Sequence, residues 1–320
     1  MRAAVYYETG SPDVLRYEEV PDPECFPGGV VIQVEAISIE GGDTLNRHSG
    51  EMPAVPHIVG YQCAGTIIEV GEGVTDRHVG QKVVANSFSG SHAERFVTLS
   101  LLTWPIPEGA DLIACACVPV AFGTASDCLF EFGHLQAGET VLIQAGAGGV
   151  GTAAIQLAKR VGATVLATAS SPERLERLRE LGMDHGIDYT KDGWVEAVQV
   201  ASGGWGVNLV VDSVGGKILE GSIACLAPRG RAISVGSAGR DRQLLDISNL
   251  APGNRSLTGV FFGAEIGTDR VQNLVTDLVN DVATGELRVV VDRTFPLAEA
   301  AAAHDYIESR QAVGRVVLVP

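Results

Sequence analysis

From Met1 to about Val120 the chain alternates apolar and polar positions with a period of two, in short runs such as 30–34, 65–70 and 82–85. Turn formers such as Pro21-Asp22-Pro23 and Gly71-Glu72-Gly73 separate the runs. Alternation with little helical periodicity predicts a β-rich unit of barrel type. Near Phe122 the texture changes. Apolar runs at 140–144, 164–168, 185–189, 207–212, 231–235 and 257–262 now alternate with amphipathic segments at 149–161, 172–181, 194–201 and 217–226. This is the pattern of an α/β domain, a doubly wound parallel sheet with helices on both faces. The tail predicts a long helix from Asp269, a strand at Val289-Val290-Val291, a short helix over 300–309 and a last strand over 314–319. That tail is expected to return to the first unit, giving one domain from 1–121 and 265–320 and a second from 122–264.

With 320 residues the chain exceeds the size at which one hydrophobic core usually keeps growing. A net charge of −16 argues against nucleic acid and anionic membranes as partners, and requires a local positive pocket for any anionic cofactor. The six cysteines, Cys25, Cys63, Cys115, Cys117, Cys128 and Cys225, never form CxxC, so neither a disulfide framework nor a zinc lobe is expected and a reducing cytoplasm fits best. The opening MRAAVYYETG lacks a basic segment followed by an apolar stretch, and no apolar run approaches a membrane span.

Directly after Val141-Leu142-Ile143 stands Gly146-Ala147-Gly148-Gly149-Val150-Gly151, and a helical segment follows. Strand, glycine turn and helix are in the order a dinucleotide site requires. The first Gly allows the turn, the second lets a pyrophosphate approach the backbone, and the third lets helix and strand pack closely. Amides at the helix start then meet the phosphates. NAD sites usually place an acid about 20 residues on, at the end of the second strand. Here the chain reads Thr168-Ala169-Ser170-Ser171-Pro172-Glu173-Arg174, offering two hydroxyls and a guanidinium suited to a 2′-phosphate. NADPH is therefore the expected cofactor. The alternative is that Ser170 and Ser171 only cap the helix and Arg174 is a solvated face residue.

The opening MRAAVYYETGSPDVL, Gly60 through Val70 with its trailing GEGV, Phe122-Gly123-Thr124-Ala125, AGAGGVGTAAIQLAK, Asp212-Ser213-Val214-Gly215-Gly216 and Gly314-Arg315-Val316-Val317-Leu318 together resemble the medium-chain dehydrogenase/reductase superfamily. The likeness is greatest to its zinc-free quinone oxidoreductase, or zeta-crystallin-like, branch. It implies a Rossmann domain inserted in a GroES-like β-barrel domain. Zinc-dependent members carry a ligand Cys three residues before an Asp, and a Gly-His-Glu motif. Here Glu40 precedes Asp43, the motif reads Gly60-Tyr61-Gln62, and Ala121 stands where a third ligand would be, so no metal is expected. The resemblance also implies that Arg174 and Tyr189 meet the 2′-phosphate region, that Ser213 and Val214 lie on the adenosine side, that Val235, Gly236, Phe261 and Phe262 belong to segments lining the nicotinamide, and that Thr124 sits in a helix-start motif facing the cofactor. For the two phenylalanines, core packing or a strand pairing across a homodimer is the competing reading.

Without a metal, the acceptor must already be electrophilic, such as a quinone or the β-carbon of an enone, and the protein has to orient it and supply a proton. Candidate donors are Asp43, Glu40, Tyr61 and His57. Asp43 reads equally as a turn-capping carboxylate before a helix over 44–47, and Tyr61 as filler of a vacant metal pocket. In quinone oxidoreductases Asn is common at the Glu40 position and a Tyr near Met52, so this chain departs from the branch on its substrate side. Three functions remain open: an NADPH-dependent quinone or enone reductase, a biosynthetic-pathway ketone or enoyl reductase, and a non-catalytic NADPH-binding protein.

Overall fold

The computed structural model describes residues 1–241 and 243–320, and divides into one unit of Met1–Ala121 with Ala264–Pro320 and another of Phe122–Gly263. In the first unit the main sheet runs in the order Val291–Pro296, Arg315–Val319, Gly29–Ser38, Gln62–Val70, Lys82–Asn86 and Thr103–Pro105, with Arg95–Leu99 also paired to Gly29–Ser38. A smaller sheet joins Arg16–Glu19, Arg2–Tyr6 and His57–Ile58. Inward-facing Val30, Ile32, Val34, Ile67, Val83, Phe96 and Leu318 form its core. This is the β-rich unit that the alternation predicts, where the resemblance implies a GroES-like domain. Helices also belong to this unit. Gly41–Ser49 and Leu112–Ala116 are short, and Asp269–Thr284 is capped by Thr268 Oγ1 and by Gly285 at φ 82°.

The C-terminal strand Arg315–Val319 lies antiparallel to the end of Gly29–Ser38, with Val317 opposite Ser38. That register carries Arg315 to the segment 38–40. The expected strand at 289–291 begins only at Val291 and runs to Pro296. The β-branched run marked the right region, but ladder pairing to Arg315–Val319 sets where the strand starts.

In the second unit six parallel strands, Thr140–Ile143, Thr164–Ala169, His185–Asp188, Val207–Asp212, Leu226–Ser234 and Ser256–Gly259, stand in the spatial order third, second, first, fourth, fifth, sixth. This is the Rossmann order, whose reversal between first and fourth strands opens a crevice at their carboxyl ends. The helices Gly149–Arg160, Pro172–Arg179, Trp194–Ala201 and Gly216–Ala224 connect the strands. The sixth strand ends at Gly259, not at 262 as expected, because pairing with Leu226–Ser234 stops there. Phe261 is consequently outside the ladder and 77% exposed, and Phe262 opens a 3-10 turn and is buried.

Gly65 shows how tightly the first unit is built. A Cβ there would fall 2.0 Å from the Gln33 carbonyl oxygen of the neighbouring strand, and no side-chain movement relieves a backbone clash. Gly65→Ala should therefore lower unfolding free energy by about 1–3 kcal/mol, measurable by denaturant titration, whereas Gly41→Ala, with nothing within 4 Å, should change it little.

Candidate functional site

In the second unit the glycine turn lies between the first strand and the helix Gly149–Arg160, as the spacing requires. Ala145 bends the chain through φ 50°, a left-handed conformation that L side chains rarely adopt. Two bonds hold it there: Ala145 N–H donates to Thr168 Oγ1 at 3.2 Å, and Gly146 N–H to the Thr168 carbonyl at 2.8 Å. A Cβ on Gly151 would lie 2.4 Å from the Ala145 carbonyl oxygen, and one on Gly146 would lie 2.9 Å from Ala167 Cβ. Helix and strand can close only with glycine at these places. No side chain caps the helix at Gly148, so the first-turn amides of Gly149, Val150 and Gly151 keep the donors that a helix start leaves over. Such an end attracts phosphate.

At the carboxyl end of the second strand the capping reading holds for Ser171 but not for Ser170. Ser171 Oγ caps the helix Pro172–Arg179 by accepting from Arg174 N–H, while Arg174 Nη1 donates to Ser170 Oγ at 2.7 Å. The half-buried guanidinium is thus anchored over the strand end instead of extending into solvent. Tyr189, also half-buried, follows the adjacent third strand, and its N–H donates to the Ala169 carbonyl at 3.3 Å. Ser170, Arg174 and Tyr189 therefore share one corner of the sheet.

The loop Ser213-Val214-Gly215 leaves the fourth strand, and Ala238 N–H and Gly239 N–H bond back to the Ser213 and Val214 carbonyls at 3.0 and 2.9 Å. Val235 N–H donates to the Asp212 carbonyl at 2.8 Å, and a Cβ on Gly236 would lie 2.9 Å from the Ser213 carbonyl oxygen. These contacts bring Ser213, Val235 and Gly236 together at the strand ends. The Phe262 ring packs on Gly123, where a Cβ would lie 2.3 Å from it, next to buried Thr124. Phe261 has no part in that packing.

The candidate proton donors belong to the first unit, around the start of the helix Gly41–Ser49. Glu40 is buried, and its Oε1 accepts from the Arg315 guanidinium, from Ser38 Oγ at 3.1 Å and from Gln62 Nε2 at 3.2 Å. Arg315 Nη2 also donates to Ser38 Oγ and to the Ile39 carbonyl, both at 2.7 Å. Gln62 reaches on to the Ala116 carbonyl and accepts from Val120 N–H. Burial pushes the Glu40 carboxyl up, against the pull of Arg315. The Arg315 guanidinium is thus a cation held against Glu40.

Asp43 sits inside the helix at its third position, not before it. The sequence reading as a cap was right in kind and wrong in place, because Asp43 Oδ2 reaches back to Glu40 N–H at 2.8 Å. Its Oδ1 is buried without a hydrogen-bond partner, and burial pushes the carboxyl well above the usual range. The Tyr61 phenol lies over the helix start, where a Cβ on Gly42 would come within 2.6 Å of its oxygen. Burial, then the Asp43 and Glu40 carboxylates, push Tyr61 well above 10.0, so it keeps its proton. His57 is buried edge-on against Tyr6 and burial lowers its pKa, which leaves it neutral packing. Among the described residues no group of three or more His, Cys, Asp or Glu could hold a metal ion. Ser38, Gln62 and Arg315 were missed as site residues. The signal for Gln62 was its place in the Gly60-Tyr61-Gln62 motif, and Arg315 lay within the terminal motif without a readable role.

Two family profiles match the chain: the alcohol dehydrogenase GroES-like domain over residues 26–101 and the zinc-binding dehydrogenase profile over residues 149–281. The chain is 34% identical over 332 residues to 2-haloacrylate reductase from a Burkholderia species, covering 99% of this chain and 98% of the relative. It is 33% identical over 316 residues to a Pseudomonas aeruginosa quinone oxidoreductase, covering 97% of each. A mycobacterial protein solved in complex with NADPH superposes with a TM-score of 0.94 over the whole of both chains at 33% identity. The chain belongs to the medium-chain dehydrogenase/reductase superfamily, in its quinone oxidoreductase branch.

The anchored guanidinium can discriminate between cofactors only through the 2′-phosphate. Arg174→Ala is expected to weaken NADPH binding about tenfold or more and leave NADH binding within about twofold, by fluorescence titration. Equal losses for both would sink the assignment.

Proposed function

We propose that this protein is a zinc-independent, NADPH-dependent reductase that passes hydride to a quinone or to the β-carbon of an α,β-unsaturated carbonyl compound. The observation that carries the reading is the corner of the Rossmann sheet where an uncapped helix start stands beside Arg174 anchored on Ser170. Gly146, Gly148, Gly149, Val150 and Gly151 would hold the pyrophosphate, and Ser170, Arg174 and Tyr189 the 2′-phosphate. Ser213 would border the adenosine, while Val235, Gly236, Thr124 and Phe262 would border the nicotinamide. Phe261, outside the strand and exposed, is a weaker member of that set. NADPH, when bound, supplies the hydride. Its binding to the mycobacterial neighbour supports the cofactor. The names of the two relatives support an activated acceptor, since a haloacrylate and a quinone each carry a carbon–carbon double bond conjugated to a carbonyl or carboxyl group.

The chain's own residues would orient the acceptor and handle its proton. The Tyr61 oxygen lies against Gly42 and keeps its proton, and that hydrogen would be the one to donate to a ligand oxygen. Tyr61 is therefore the proposed proton or hydrogen-bond donor, in a protonated state held across the neutral range. Asp43, kept neutral more readily than an exposed acid, avoids placing a second negative charge beside it. Glu40, committed to Arg315, Ser38 and Gln62, would fix the start of the helix on which this arrangement stands. Zinc independence rests on the same pair, because the guanidinium already neutralises the one carboxylate at the ligand positions.

A homodimer formed along the open edge strand Ser256–Gly259, with exposed Phe261 beside it, and a cytoplasmic setting for the six free cysteines complete the proposal. No helix among the described residues is long and apolar enough to cross a membrane.

NADPH oxidation should be observed with members of a panel of quinones, enones and aldehydes. Tyr61→Phe should lower kcat about 100-fold and leave the NADPH dissociation constant within about twofold. NADPH binding without turnover of any acceptor would favour the non-catalytic reading, and a full rate in Tyr61→Phe would remove Tyr61 from the donor role.

A further inference from the structure

Three buried polar side chains at the carboxyl ends of the first, second and fourth Rossmann strands, with a fourth, Ser222, from the helix Gly216–Ala224, form one continuous chain of hydrogen bonds. Thr168 Oγ1 accepts from Ala145 N–H at 3.2 Å and donates to Gln144 Oε1 at 2.7 Å. Gln144 Nε2 donates to Ser222 Oγ at 3.0 Å, and Ser222 Oγ donates to Asp212 Oδ2 at 2.8 Å. Asp212 Oδ1 accepts from Val214 N–H and Gly215 N–H, both at 2.8 Å. Thr168, Ser222 and Asp212 are fully buried and Gln144 is 2% exposed, so water cannot substitute for a missing partner.

The direction of this chain is fixed at both ends. A backbone N–H at Ala145 can only donate, and a carboxylate at Asp212 that already takes three donors can only accept. Each hydroxyl between them has a single proton, and the Gln144 amide has one orientation that satisfies both neighbours. Turning the amide over would point its NH2 at Thr168 and leave the Thr168 hydroxyl hydrogen without an acceptor. The chain thus has one arrangement, and it joins the left-handed Ala145, which starts the glycine turn, to the loop Ser213-Val214-Gly215 across the sheet.

We infer that Asp212, Ser222, Gln144 and Thr168 are positioning residues that hold the pyrophosphate turn and the loop after the fourth strand in register for the cofactor before it binds. The inference rests on the NADPH reading above. Breaking the chain at any link loosens the Gln144 side chain and, through Thr168 Oγ1, the hold on Ala145 N–H, with only the Gly146 N–H bond to the Thr168 carbonyl left intact, so the cofactor must order more of the turn itself and binds more weakly. Because all four act as one unit, the second break should cost little once the first has been made.

The test is a double-mutant cycle with NADPH titrated by fluorescence. Thr168→Val and Ser222→Ala do not touch each other and communicate only through Gln144. Each should raise the NADPH dissociation constant about tenfold and leave kcat at saturating NADPH within about twofold, and the two together should raise the constant little beyond the roughly tenfold of either alone, well short of about a hundredfold. Asn208→Ala serves as a stability control, since Asn208 Oδ1 accepts from Thr140 N–H at 2.9 Å at the opposite end of the sheet. It should lower the melting temperature and leave NADPH affinity unchanged. Multiplying losses, no loss in either single variant, or an equal affinity loss in Asn208→Ala would each overturn the inference. Failure of the wild-type protein to bind NADPH would instead overturn the cofactor reading beneath it.

Discussion

A parallel strand can hand the chain to a helix at a phosphate site only if their backbones touch, and here that contact is between Gly151 and the Ala145 carbonyl. A Cβ on Gly151 would fall 2.4 Å from that oxygen. The contact sets the angle at which the helix Gly149–Arg160 leaves the strand Thr140–Ile143. It also sets where the uncapped amides point. Ala145 accepts a left-handed φ to make it, and Thr168 on the neighbouring strand takes the Ala145 N–H on its hydroxyl and the Gly146 N–H on its carbonyl. The local strain is offset by bonds supplied from the sheet.

The first unit solves a different problem, that of a buried carboxylate. Glu40 would be costly alone in the interior, and the terminal strand brings Arg315 to it by pairing Val317 with Ser38. The ion pair is not a device for stability in itself, since an apolar pair could pack as well. Its consequence is positional. It fixes Ser38, Gln62 and the helix start at Gly41, and so the floor on which Tyr61 and Asp43 stand.

Most of the architecture was legible in the sequence because it is written in local periodicity. The strand over 207–212 and the helix over 194–201 coincide with Val207–Asp212 and Trp194–Ala201. The glycine turn was legible for the same reason, since all its parts are adjacent. Element ends were less so. The apolar run through Phe261 and Phe262 continues past the last ladder bond, and composition does not record where a partner strand stops. Arg315 and Glu40 are separated by 275 positions, and Gln144 and Ser222 by 78, so no spacing rule joins them. Such pairs exist only once the sheets have formed. Asp43 lies between these cases: its type announced a cap, while the choice between the first and third capping positions depended on the path of Glu40.

The central claim, that the glycine turn is the cofactor site of a nicotinamide reductase, is tested most directly by calorimetric titration of NADPH into the wild-type protein and into Gly151→Val. The account predicts saturable one-site binding to the wild type and a loss of at least about 100-fold in the variant, with circular dichroism showing that the variant retains its secondary structure. Wild-type affinity in a folded Gly151→Val protein would contradict it, because a side chain at that position leaves no room for the turn on which the site is built.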